Sequence, residues 1–214
     1  MNLKSILPYL ILPLGMSIYE VATLVVMSTH SLDSITLSVY QPQNAFISMF
    51  WYDGFGNILM LIFLIGLSEF SLIYLPTEQK YFRAISILIL SFIVGYLANL
   101  KWLSSGFTYS TSGQSGIVYA MFGVIISVLL FDSIFLLLKR NYLLVFGNIM
   151  IVILFVMVGL SNFSTFFSIS SFTNYFVHEY AFIYGIIAGA ILSVTEGFMM
   201  FAVRENYGYV VGGI

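Results

Sequence analysis

Long apolar runs broken by short polar stretches set the pattern of this chain. Crossing the hydrocarbon core of a bilayer takes about 20 mostly apolar residues in a helix. Six runs meet that need: roughly Ser5–Thr29, Met49–Tyr74, Phe82–Leu100, Ser115–Leu138, Leu143–Leu160 and His178–Val203. Three of the connections, Ser31–Ser48, Lys101–Gln114 and Ser161–Val177, are longer and polar or rich in Ser, Thr and Asn, while the others are short. No linker or internal repeat divides the sequence. The pattern predicts a single all-α domain over residues 1–214, a polytopic bundle of six transmembrane helices.

Composition sharpens this picture. The 214 residues are 60% hydrophobic and only 7% charged, with a mean hydropathy of +1.03. A soluble domain of this size could not hide so much apolar surface, so an integral membrane protein is expected. The first run follows a lone Lys4, but it is too long for a signal-peptide core and no Ala-x-Ala-like site follows it. It is expected to be a retained span. A net charge of -2 without basic blocks argues against a nucleic-acid partner. The absence of cysteine excludes disulfides and thiolate metal sites. His30 and His178 have no metal-ligand spacing, and no cofactor or metal is expected.

The cations give an orientation. If the six spans alternate, Lys4, Lys80, Arg83, Lys139, Arg140 and Arg204 fall on one side and only Lys101 on the other. The positive-inside rule then puts both termini in the cytoplasm. Ser31–Ser48, Lys101–Gln114 and Ser161–Val177 face outward, so Ser115 and His178 both lie at outer helix ends.

Acidic residues in spans are costly and each needs an account. Asp132 and Glu196, near the inner ends of their helices, are expected to pair with the loop cations Lys139, Arg140 and Arg204 or to reach the headgroups. Glu69 is also near an inner end. Glu20 could join neighbouring helices by hydrogen bonds. These acids are mostly peripheral, which disfavours a transporter with a relay at the midplane. Asp53 and Asn57 share a helix face one turn apart, either as a polar pair bonding neighbouring helices or as groups aimed into a cavity.

Two small-residue stripes suggest which helices meet. Gly116, Ala120 and Gly123 run along the fourth span, and Ala181, Gly185 and Gly189 along the sixth. Such stripes let membrane helices approach backbone to backbone. Packing them together would bring Ser115 close to His178, with Tyr119 one turn below the serine, where its ring could pack against an imidazole. Ser115 alone could be a helix cap, a packing residue or a nucleophile; His178 alone could be an interfacial residue facing headgroups. Together they form a candidate dyad, since neutral histidine can take the serine proton.

Gly113-Gln114-Ser115-Gly116, extended by Val118, Tyr119, Ala120 and Gly123, resembles the G-x-S-G motif opening the fourth helix of rhomboid intramembrane serine proteases. Asn57, Gly66 and Glu69 match that family's N-x8-G-x2-E spacing. His178, Ala181 and Gly185 resemble its H-x-x-G-x-x-x-G helix, with alanine for the first glycine. The resemblance covers the second to sixth spans, about 150 residues by these motif matches. It implies a rhomboid-like bundle that cleaves single-span membrane-anchored proteins near the outer face, with Ser115 as nucleophile and His178 as general base. It also implies oxyanion stabilisation by Asn57 and the Ser115 N–H, support from Gly113 and Tyr119, a cap formed by Ser161–Val177, and a fifth helix gating lateral access.

Asp53 departs from the family, which usually has a histidine one turn before the asparagine; an ionised carboxylate there would oppose an oxyanion. No Trp-Arg motif occurs in Ser31–Ser48, where many relatives have one. A register centred on Gly185 and Gly189 would put Phe182 in the histidine position. These departures define the alternative, a catalytically inactive rhomboid-like protein binding transmembrane clients. A prokaryotic plasma membrane fits a minimal six-helix chain.

Overall fold

The computed structural model describes residues 3–51, 55–73, 75–106, 110–138, 140–166 and 172–207. Among them the regular structure is helical, apart from isolated bridges. The long helices are α1 (Pro8–Thr29), α2 (Phe55–Leu72), α3 (Thr77–Ser104), α4 (Ser115–Leu138), α5 (Tyr142–Phe166) and α6 (Phe172–Tyr207).

Four of the described helical segments, Pro8–Thr29, Thr77–Ser104, Ser115–Leu138 and Tyr175–Met199, are long and apolar enough to cross a membrane. The apolar segments in α2 and α5, Asn57–Leu72 and Tyr142–Leu154, are shorter. At 1.5 Å per residue, 16 residues cover about 24 Å, less than the ~30 Å hydrocarbon core. The outer faces nevertheless suit lipid: Ile18, Val21, Leu24, Ile62, Ile153 and Ile191 are all exposed.

Helix α4 is the centre of the bundle. Its sequence is apolar all round, as a fully enclosed helix requires, and every residue from Ser115 to Leu129 is buried. Helices α6, α3, α5 and α2 pack against it. The contact with α6 is made backbone to backbone. A Cβ on Gly123 would lie 2.3 Å from the Phe182 carbonyl oxygen, one on Gly185 2.4 Å from that of Ala120, and one on Gly189 2.5 Å from that of Val124. The paired positions advance together along both helices, so α4 and α6 run parallel.

The structure revises several sequence expectations. Helix α6 begins at Phe172, so His178 lies more than one turn inside it rather than at its end. Most of the expected Ser161–Val177 loop is helical, with α5 continuing through Phe166; residues 167–171 lie outside the described residues. Lys101 belongs to the last turn of α3 instead of opening a loop.

Among the described residues the cation that holds Asp132 and Glu196 is Arg83 of α3, while the expected Lys139 and the Arg204 side chain lie outside the described residues. Both acids are buried against Arg83, which is 1% exposed. The Arg83 Nε donates to both Glu196 oxygens at 3.0 Å. Its Nη1 donates to Asp132 Oδ2 at 2.6 Å and to the Ser71 carbonyl at 3.1 Å. Nη2 donates to Asp132 Oδ1 at 2.9 Å and also to Glu196 Oε2. Each guanidinium N–H thus has an acceptor, and one side chain joins α2, α3, α4 and α6. Excluding water makes such a group costly unless it is fully paired, and this one is. Among the described residues Glu20 does not provide the expected tie through Oε1, which is buried without a hydrogen-bond partner there, and both Glu69 oxygens are in the same condition.

The α4–α6 seam makes a direct prediction. Gly185→Ala forces a methyl into the Ala120 carbonyl and should cost about 1–3 kcal/mol, the range for overpacking. Gly66→Ala, where a Cβ meets nothing within 4 Å, should leave stability unchanged or slightly raised. Thermal unfolding of both variants in detergent measures the difference, and equal stability would contradict the observed seam.

Candidate active site

The motif before α4 is held in place from outside the helix. The Gly113 N–H donates to the Ser48 carbonyl at 2.8 Å and the Gln114 N–H to the Trp51 carbonyl at 2.9 Å. Just upstream, Leu37 and Thr111 exchange backbone hydrogen bonds of 2.7 and 2.8 Å. Gly113 has φ +131°, a left-handed conformation that a side chain would strain. This explains glycine at that place without invoking catalysis.

The segment 31–51 that supplies these acceptors is itself braced. Ile35, Leu37, Ala45 and Met49 are buried. The Asn99 amide of α3 donates to the Ala45 carbonyl at 2.8 Å, the Asn44 amide donates to the Ser34 and Thr36 carbonyls, and the Tyr19 hydroxyl donates to Met49. Tyr19 also packs edge-on against Phe92. Chain geometry therefore fixes where Ser115 begins α4.

Ser115 is the first residue of α4 and is 6% exposed. The first N–H groups of a helix lack intrahelical acceptors, so the serine hydroxyl stands beside a backbone N–H with the positive end of the helix dipole behind it. One turn on, the Tyr119 ring stacks on the His178 imidazole, with centroids 4.3 Å apart and planes 11° apart. His178 is 3% exposed. The position of a Cβ on Gly116 would be 3.4 Å from a Val177 methyl, which brings the residue before the histidine against the residue after the serine. In this register Phe182 is one turn further along, tilted against Phe122 at 5.1 Å.

Ser115, Tyr119 and His178 therefore gather at the N-terminal end of the α4–α6 pair. Asn57 is in the first turn of α2 and half-buried; no hydrogen bond joins it to these three among the described residues. Asp53 lies outside the described residues. His30 is remote in role, an exposed residue ending α1 and paired with the Thr29 hydroxyl at 2.8 Å. Among the described residues no group of three or more His, Cys, Asp or Glu side chains could hold a metal ion.

Two polar residues, expected only as an inner-face cation and as a motif position, are buried in the bundle. Arg83 was readable as a buried cation because it falls within the Phe82–Leu100 run. Gln114, wholly buried with neither amide atom hydrogen-bonded among the described residues, had only its place in the motif to signal it.

The stack can be observed directly. With two histidines in the chain, the imidazole proton signals are easily assigned by NMR. Those of His178 should be shifted upfield of exposed His30 by the Tyr119 ring and should move back in Tyr119→Leu. Signals of His178 that ignore the substitution would contradict the stacked geometry.

Comparison of the chain with protein-family models, with curated proteins and with solved structures finds no match in any of the three.

Proposed function

We propose that this chain is an intramembrane serine protease of the rhomboid type, spanning the membrane six times with both termini in the cytoplasm. The observation that carries the reading is the Tyr119–His178 stack at 4.3 Å on a helix pair whose first α4 residue is Ser115. A ring held flat against its imidazole restricts its rotation, the orienting task that a carboxylate performs in a triad. Burial at the helix ends keeps a hydroxyl and an imidazole away from bulk water while a substrate helix docks beside them.

In the proposed reaction the Ser115 Oγ forms a bond to the scissile carbonyl carbon and its proton passes to His178. The carbonyl π pair moves onto oxygen, where the Ser115 N–H and the Asn57 amide stabilise the charge. The oxyanion then re-forms the C=O bond, the C–N bond breaks, and His178 returns the proton to the leaving amine. Water repeats the sequence on the acyl-enzyme. The substrates would be single-span membrane proteins cut near the outer face. The lipid bilayer is the medium, and no cofactor, metal or nucleic acid takes part.

Asp53 favours a second reading, in which the same bundle binds transmembrane clients without cutting them. A reconstituted assay separates the two. Purified protein in liposomes should cleave a single-span substrate, Ser115→Ala and His178→Ala should abolish cleavage, and Asn57→Ala should lower the rate about 10²–10³-fold. Capture of the substrate without cleavage, equal in wild type and Ser115→Ala, would replace the protease reading with the client-binding one.

A further inference from the structure

Gln114 has a committed backbone and an uncommitted side chain. Its N–H donates to the Trp51 carbonyl at 2.9 Å, and its carbonyl accepts from the Ile117 and Val118 N–H groups at 3.0 and 3.3 Å. The residue is 0% exposed, yet neither Nε2 nor Oε1 of the carboxamide has a hydrogen-bond partner among the described residues. A buried amide left unpaired costs about 1–3 kcal/mol, and the great majority of such groups in folded proteins are paired. Methionine would fill nearly the same volume without that penalty.

The place of Gln114 in the chain gives its amide a use. Consecutive Cα atoms are about 3.8 Å apart, so Gln114 adjoins Ser115 at the start of a 24-residue helix. Negative charge is already favoured there by the helix N-terminus. An ionised Asp53 has no proton to give an oxyanion, whereas a carboxamide nitrogen has two.

We propose that Gln114 is a catalytic residue whose Nε2 donates a hydrogen bond to the substrate carbonyl oxygen as it becomes an oxyanion. This rests on the protease reading. When the Ser115 Oγ bonds to the carbonyl carbon and His178 takes the serine proton, the displaced π pair on oxygen gains the Gln114 N–H as a further donor. The hydrogen bond weakens again once the C–N bond breaks and the C=O bond re-forms. The unpaired amide of the resting enzyme thus finds its partner in the transition state, where an interaction accelerates the reaction.

The test compares wild type, Ser115→Ala and Gln114→Met, each as the full chain in liposomes with a single-span substrate. Gln114→Met should lower kcat about 10²–10³-fold, the usual loss for one oxyanion donor, with KM unchanged. Its Tm should equal or exceed that of wild type, because an apolar group replaces an unpaired polar one. Gln114→Glu, which keeps the shape, should lose activity likewise at pH values where the new carboxyl is ionised. Wild-type kcat in Gln114→Met, or a kcat loss matched by a fall in Tm in both variants, would overturn the assignment. If wild type cleaves no better than Ser115→Ala, the protease reading fails and the assignment fails with it. Cleavage that needs Ser115 but ignores Gln114 removes the assignment alone.

Discussion

The close approach of α4 and α6 is the constraint from which the rest of the structure follows. Three glycines let the backbones meet where any Cβ would collide with a carbonyl oxygen. In a membrane, where apolar side chains gain little by leaving lipid, contact of this kind is a main source of helix association. Because the two helices run parallel, their N-terminal ends are delivered together. The Tyr119 ring and the His178 imidazole then stack although more than fifty residues separate them in the sequence, with Ser115 one turn from Tyr119 at the start of α4.

The same pair is tied at its other end by Arg83, Asp132 and Glu196. Asp132 is 17 residues beyond Ser115, about 26 Å along the helix. The bundle therefore has an aromatic stack at one end, a glycine seam in the middle and an ion cluster at the other. One cation faces two acids, so the cluster carries a formal charge of -1 if all three are ionised. Buried clusters of this sort are weak sources of net stability and have their best-attested value in fixing register. Register is what the site needs, since moving α6 by one turn would exchange His178 for Phe182 against α4.

The sequence made the seam legible through its small residues at intervals of three and four, and it located α4 to the residue. It also singled out Ser115, Tyr119 and His178, which share one end of the pair. The end of the last helix was harder to read. Polar Ser, Thr and Asn residues before His178 suggest a loop, whereas Phe172 to Val177 continue the helix. The partner of Asp132 and Glu196 was missed because proximity in sequence pointed to Lys139, Arg140 and Arg204, while the fold supplies Arg83 from a neighbouring helix. Gln114 was hidden for a different reason: an unpaired amide is a property of surroundings, not of a motif.

Proteolysis by this bundle requires Ser115 to be a nucleophile activated by His178. Treating the purified protein with a fluorophosphonate and mapping the adduct by mass spectrometry tests this without a natural substrate. One phosphonyl group on Ser115 of the wild type, lost in His178→Ala while the fold persists, is the result the account predicts. An unlabelled Ser115, or labelling that is the same with and without the imidazole, would contradict it.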